Sequence, residues 1–110
     1  MYKQGEIVLI PVPFTDLSTT KRRPVLIISN DKYNKTTNDL IVVAITSNLS
    51  KPAILLTNED MTTGQLPIAS VIRYDKIYTL DQKIVVKSLG KVSHEILTSV
   101  NKMIYKLLKP

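Results

Sequence analysis

The sequence predicts a mainly β protein, a small and strongly bent antiparallel sheet or barrel with a C-terminal α-helix packed on one side. Three observations lead there. The apolar runs are short and rich in valine and isoleucine, Pro, Asn, Asp or Thr punctuates them, and from Ser93 onward the apolar period changes from strand to helix. At 110 residues the chain is long enough for one domain, residues 1–110, and too short for two of ordinary size.

Glu6 to Val12 reads as the first strand, which Pro11 and Pro13 force to an edge or a bend because neither can donate to a ladder. Phe14 to Lys21 follows as a loop whose hydroxyls can bond their own backbone or a ligand. The second strand runs from Pro24 to Ser29, and Asn30 to Asn38 reads as a second polar loop. Leu40 to Thr46 is apolar at nearly every position, which implies burial on both faces. Ala53 to Leu56 is a short strand, Thr57 to Gly64 is rich in turn residues, Ala69 to Tyr74 is another strand, and Lys83 to Leu89 is the last, ended by Gly90. Ile96, Leu97, Val100, Met103, Ile104, Leu107 and Leu108 then recur at helical spacing. Ser93 suits the N-cap, Glu95 the positive end of the dipole, and Val92 with Leu97 a hydrophobic staple.

Fifteen Lys and Arg against nine Asp and Glu give a net charge of +6, a balance that favours a nucleic acid or an acidic protein segment as partner. The chain has no cysteine, which excludes disulfides, thiolate nucleophiles and Cys-based zinc sites together. No apolar run is long enough for a bilayer and Met1 to Glu6 lacks the apolar core of a secretory signal, so a cytoplasmic protein with no membrane partner is expected. The acidic residues have no metal-ligand spacing, and Gly5, Gly64 and Gly90 are isolated, so neither a metal nor a cofactor is expected.

Lys21, Arg22 and Arg23 concentrate positive charge where a loop enters the strand beginning at Pro24. A guanidinium grips a phosphate with two parallel N–H donors and keeps its charge at any ordinary pH. The run from Leu40 delivers Thr46 and Ser47 at its end, and a hydroxyl there could reach the same phosphodiester. Cutting RNA without a metal requires that the 2′-hydroxyl lose a proton, that the leaving oxygen gain one, and that charge on the phosphoryl oxygens be stabilised. Arg23 suits the last task and Thr46 can fix a phosphoryl oxygen by a hydrogen bond. Taken alone, Arg22 and Arg23 would read as solvated loop charges and Thr46 as a β-branched strand end. His94, the only histidine, falls in the first turn of the helix, which leaves no histidine pair for proton transfer, while Asp16 and Asp75 are conceivable bases. Of the one Phe and five Tyr, Tyr2 lies near the terminus and Tyr105 in the helix, so phosphate capture is favoured over base stacking.

Five segments, taken in order, resemble the MazF/PemK family of toxin–antitoxin endoribonucleases. They are Gly5 to Val8, Lys21 to Ser29, Val42 to Ser47, Ala69 to Arg73 continuing through Thr79 to Asp81, and Gly90 to Ser93 with the following helix. The resemblance covers essentially the whole chain. It implies an SH3-like (CcdB/PemK-like) antiparallel barrel, a homodimer with RNA grooves at the subunit junction, and metal-independent, sequence-specific cleavage of single-stranded RNA to 2′,3′-cyclic phosphate and 5′-hydroxyl ends. It implies too that the toxin is silenced by a cognate acidic antitoxin. The arginine before the proline matches Arg23 and the threonine closing the third strand matches Thr46, the family's pair at the scissile phosphate. Ser18, Thr19, Thr20, Lys21, Arg22, Ser47, Ser70, Asp75, Lys76 and Thr79 match segments bordering the RNA groove. Two departures stand out: residues 14–21 carry no glycine where many members have one, and Lys76 replaces a glutamine common in some members.

Two other functions compete. A non-enzymatic CcdB-like toxin would act on DNA gyrase by protein contact, but such toxins depend on a C-terminal Trp-Gly-Ile, and this chain has no tryptophan and ends Leu107-Leu108-Lys109-Pro110. A catalytically silent RNA-binding barrel would bind RNA without cutting it.

Overall fold

The computed structural model describes residues 1–13, 20–49 and 53–110. Among these, seven strands form one curled antiparallel sheet: β1 (Glu6–Pro13), β2 (Thr20–Ile27), β3 (Asp39–Thr46), β4 (Ile54–Leu56), β5 (Met61–Gly64), β6 (Ser70–Asp81) and β7 (Lys87–Val92). Their order across the sheet is β4-β6-β3-β2-β1-β7-β5. Helix α1 spans Asp31–Thr36 and helix α2 spans His94–Leu108. No helix among the described residues is long and apolar enough to cross a membrane.

The strands alternate between two apolar clusters because successive side chains point to opposite faces. Ile7, Leu26, Val43, Ile45, Ile72 and Tyr74 form the first, against which Ile96 and Val100 of α2 pack. Val8, Ile10, Val25, Ile27, Leu40 and Val42 form the second. β3 supplies both, as its unbroken apolar run implies: Leu40 and Val42 face one way, Val43 and Ile45 the other. Each side chain removed from water in this way stabilises the fold by about 1.5–3 kcal/mol before entropy is counted.

The two prolines of β1 are accommodated on its unpaired side. The ladder to β7 covers only Glu6 to Leu9, whereas Pro11 and Pro13 pair with β2 alone, opposite Arg22 and Thr20. The α2 stripe is correct in its first half. Ser93 caps the helix, its hydroxyl accepting from the Ile96 N–H at 3.3 Å, and Ile96 and Val100 are buried. Leu107 and Leu108, however, are 50% and 70% exposed.

Several boundaries differ from the sequence expectation. β2 begins at Thr20 rather than Pro24, so Lys21 to Arg23 belong to a strand and not to a loop. Residues 31–36, expected as loop, form α1, whose cap is the Asn30 side chain accepting from the Tyr33 N–H at 2.8 Å. No apolar stripe announces this helix because its one buried residue is Asn34, held by hydrogen bonds with Ser29. β6 runs on from Tyr74 to Asp81. The last strand is shifted to Lys87–Val92, after a 3₁₀ turn at Gln82–Ile84, and Gly90 lies inside it. Gly90 pairs with Gly64, and β5 forms where only turns are expected. A Cβ on Gly90 would stand 2.1 Å from the Thr63 carbonyl oxygen, so only paired glycines allow β5 and β7 to approach this closely.

Candidate active site

β2 and β3 are paired from Val25↔Ala44 to Ile27↔Val42, and there the ladder stops. Pro24 has no N–H with which to prolong it, while β2 stays paired to β1 as far as Thr20. Two residues further along the same register, Arg23 stands across from Thr46. The strand ends part at this point and leave a cleft of about 420 Å³. Arg23, Pro24 and Val25 line one side and Ala44, Ile45 and Thr46 the other, with Ile10 and Pro11 of β1 and Tyr78 of β6 completing the wall.

The side chains in this cleft suit an anionic ester. Arg23 is exposed and stands within the β1–β2 ladder, paired with Ile10, just past the last β2–β3 pair. The Thr46 Oγ1 accepts a hydrogen bond from the Asn48 N–H at 3.1 Å, which spends a lone pair and leaves the O–H to donate. Ser47 follows directly and is exposed. Val25 and Ile27 point into the second cluster, so alternation sets Arg23 and Lys21 on that face and turns Arg22 to the other. Arg22 and Lys21 are both exposed, but only Lys21 shares the cleft's face. Thr20 opens β2, and Ser18 and Thr19, like Asp16, lie outside the described residues.

β6 corrects three further expectations. Ser70 is 3% exposed and its hydroxyl donates to the Ile68 carbonyl at 3.0 Å, so burial withdraws it from any ligand. The β3–β6 ladder jumps from Ala44↔Arg73 to Val43↔Ile77, which leaves Tyr74, Asp75 and Lys76 in a three-residue bulge. Within it Asp75 is already engaged: its two carboxylate oxygens accept from Arg73 Nε and Nη2, each at 3.0 Å. Those hydrogen bonds hold the Asp75 carboxyl below its ordinary pKa, and a carboxylate so stabilised is a weak proton acceptor, which argues against it as general base. The same bonds hold the Arg73 guanidinium above its usual value, the nearby Tyr78 phenol adding a smaller share. Lys76 is exposed on the bulge. Thr79 pairs with Ile41 and so points away from the cleft, whereas its neighbour Tyr78 pairs with Val42 and faces it.

Tyr78 is the lining residue that sequence reasoning misses. Counted by simple alternation from Arg73, it falls across from Asp39 and on the wrong face. The bulge changes both. His94 is exposed and borders a separate polar recess with Gln4, Asp31, Thr62 and Lys91, away from Arg23 and Thr46. Among the described residues, no three His, Cys, Asp or Glu side chains gather as a metal site would require.

Comparison with known proteins bears on what such a cleft does. A family described as PemK-like, MazF-like toxin of type II toxin-antitoxin system matches residues 3–108. Endoribonuclease MazF2 of Mycobacterium bovis and Endoribonuclease MazF6 of Mycobacterium tuberculosis are each 29% identical over 90 residues, which is 80% of this chain and 79% of the relative. A mycobacterial endoribonuclease solved in complex with its cognate antitoxin superposes with a TM-score of 0.79 at 22% identity, over 100% of this chain and 98% of that one. MazF in a MazE-MazF crystal structure from Deinococcus radiodurans gives 0.73 at 22% identity, over 98% and 95%. At that identity the solved structures establish the shared fold.

Proposed function

The chain belongs to the PemK-like, MazF-like toxins of type II toxin–antitoxin systems, and from that premise we propose that it is an endoribonuclease that cuts single-stranded RNA at the Arg23–Thr46 cleft. The single observation that supports this most is the shared lining: a guanidinium and an alcohol from strands that part at Pro24 border one cavity. In the proposed reaction the 2′-oxygen bonds to phosphorus as the bond from phosphorus to the 5′-oxygen breaks. The 2′-hydroxyl gives up its proton and the leaving oxygen takes one, so the products carry a 2′,3′-cyclic phosphate and a 5′-hydroxyl. Arg23 neutralises the charge that builds on the non-bridging oxygens, and Thr46 donates to one of them, fixing the phosphorus for in-line attack. Neither role requires a metal.

The protein acts in the cytoplasm, as a homodimer, and is held silent by an acidic antitoxin segment that competes with RNA for the same cationic face. The net charge of +6 suits both partners. Incubation with a long single-stranded RNA in excess chelator, followed by mapping of the ends, tests the reading. Cutting should persist and should fall by roughly 10²–10³ in both Arg23→Ala and Thr46→Ala, the loss typical of removing one donor to a charged transition state. Cleavage that disappears in chelator, or that survives both substitutions, would sink it.

A further inference from the structure

The phosphate accounts for only part of the cleft. Arg23 and Thr46 suffice for it, yet Ile10, Pro24, Val25 and Ala44 present hydrocarbon beside them. Such walls return none of the hydration that an anion loses on entering, so they fit a different part of the ligand. At about 420 Å³ the cavity has room for more than a phosphoryl group. In single-stranded RNA the flat apolar surface tied to each phosphate is the nucleobase, free to splay out and stack.

Tyr78 has the attributes of a partner for that base. It is 50% exposed on a strand where Ile72 and Tyr74 are buried, so its ring is not committed to the core. Its backbone is paired with Val42, and an aromatic side chain has only two torsions to order. The bulge of Tyr74, Asp75 and Lys76, clamped by the Arg73–Asp75 pair, sets its register and its face. Resting on the endoribonuclease reading, we propose that the ring of Tyr78 is the platform on which the base adjoining the scissile phosphate stacks.

The test uses a single-stranded RNA with one cleavage site, and the same RNA carrying an abasic ribose immediately 5′ or 3′ of the cut. Tyr78→Phe should match the wild type within about twofold, since the π face is kept. Tyr78→Ala should raise KM by roughly 5- to 100-fold, the usual worth of one base–aromatic stack, and leave kcat nearly unchanged. Tyr78→Leu should fall between them. The abasic substitution on one side should cost the wild type the same factor and cost Tyr78→Ala almost nothing. Urea unfolding midpoints control for folding, and if Tyr78→Ala is unfolded, the Phe and Leu variants with the abasic RNAs decide the matter. Equal KM in wild type and Tyr78→Ala, a loss confined to kcat, or equal abasic penalties in both would overturn the platform alone. A wild type that cuts no RNA would overturn the endoribonuclease reading and the platform with it.

Discussion

The Arg73–Asp75 pair is small but has a measurable acid signature. Both side chains are largely covered, at 19% and 23% exposure, and their contact is a two-pronged fork, the geometry in which such pairs are strongest. Hydrogen bonding to Arg73 depresses the Asp75 pKa from its ordinary 3.8. A depressed carboxyl pKa contributes stability above the unfolded value and loses it as pH falls through the folded one. Asp75→Asn should therefore be less stable than the wild type at neutral pH, and the gap between their urea midpoints should close below about pH 4. A gap that persists unchanged at pH 2 would mean that the asparagine acts by some route other than the lost ion pair. Residue-level chemistry is only partly legible in the sequence. Side-chain type alone leaves Arg23 and Thr46 ordinary, the family resemblance singles them out, and the structure sets both on one cleft, while the burial of Ser70 and its bond to Ile68 are invisible in the chain order.

Elements that announce themselves by periodicity are legible in the chain, and those made by backbone geometry are not. The α2 stripe and its Ser93 cap are written in spacing and side-chain type, as is the doubly buried β3. The helix α1 packs through an asparagine, the bulge in β6 breaks alternation, and β5 exists because two glycines meet, none of which leaves a pattern of apolar residues. Gly90 is the clearest case: it punctuates a strand in sequence and serves in space as the crossing point of β5 and β7. Its φ is +142°, and a methyl group there would sit 2.1 Å from the Thr63 carbonyl oxygen. Gly90→Ala should therefore destabilise the protein by at least about 1–3 kcal/mol, the ordinary cost of forcing a side chain into such backbone. Thermal unfolding of the variant checks it; an unchanged midpoint would show that β5 can lift away from β7 without loss.

Across the whole molecule, charge and face combine into a prediction about salt. Single-stranded RNA binding weakens with ionic strength by about 0.7 in the log–log slope for each phosphate met. Lys21 shares the face of the Arg23–Thr46 cleft and Arg22 is turned from it, although the two are neighbours and equally charged. Binding titrations with an RNA that lacks the reactive 2′-hydroxyl should show Lys21→Ala flattening the slope by about 0.7 and Arg22→Ala leaving it unchanged. Equal effects would mean that the chain's net charge of +6 acts as a diffuse field with no preferred face.

The gap at Pro24 is made by omission: the residue next in register has no donor, and the β2–β3 ladder goes no further. On the reading proposed above, the phosphate is held between β2 and β3, while the ring that takes the neighbouring base stands on β6 and can be exchanged separately. Divergence follows readily from such a layout. On that reading, a substitution at position 78 changes how tightly RNA is held and leaves the manner of cutting untouched, so that binding and chemistry can drift separately, one codon at a time.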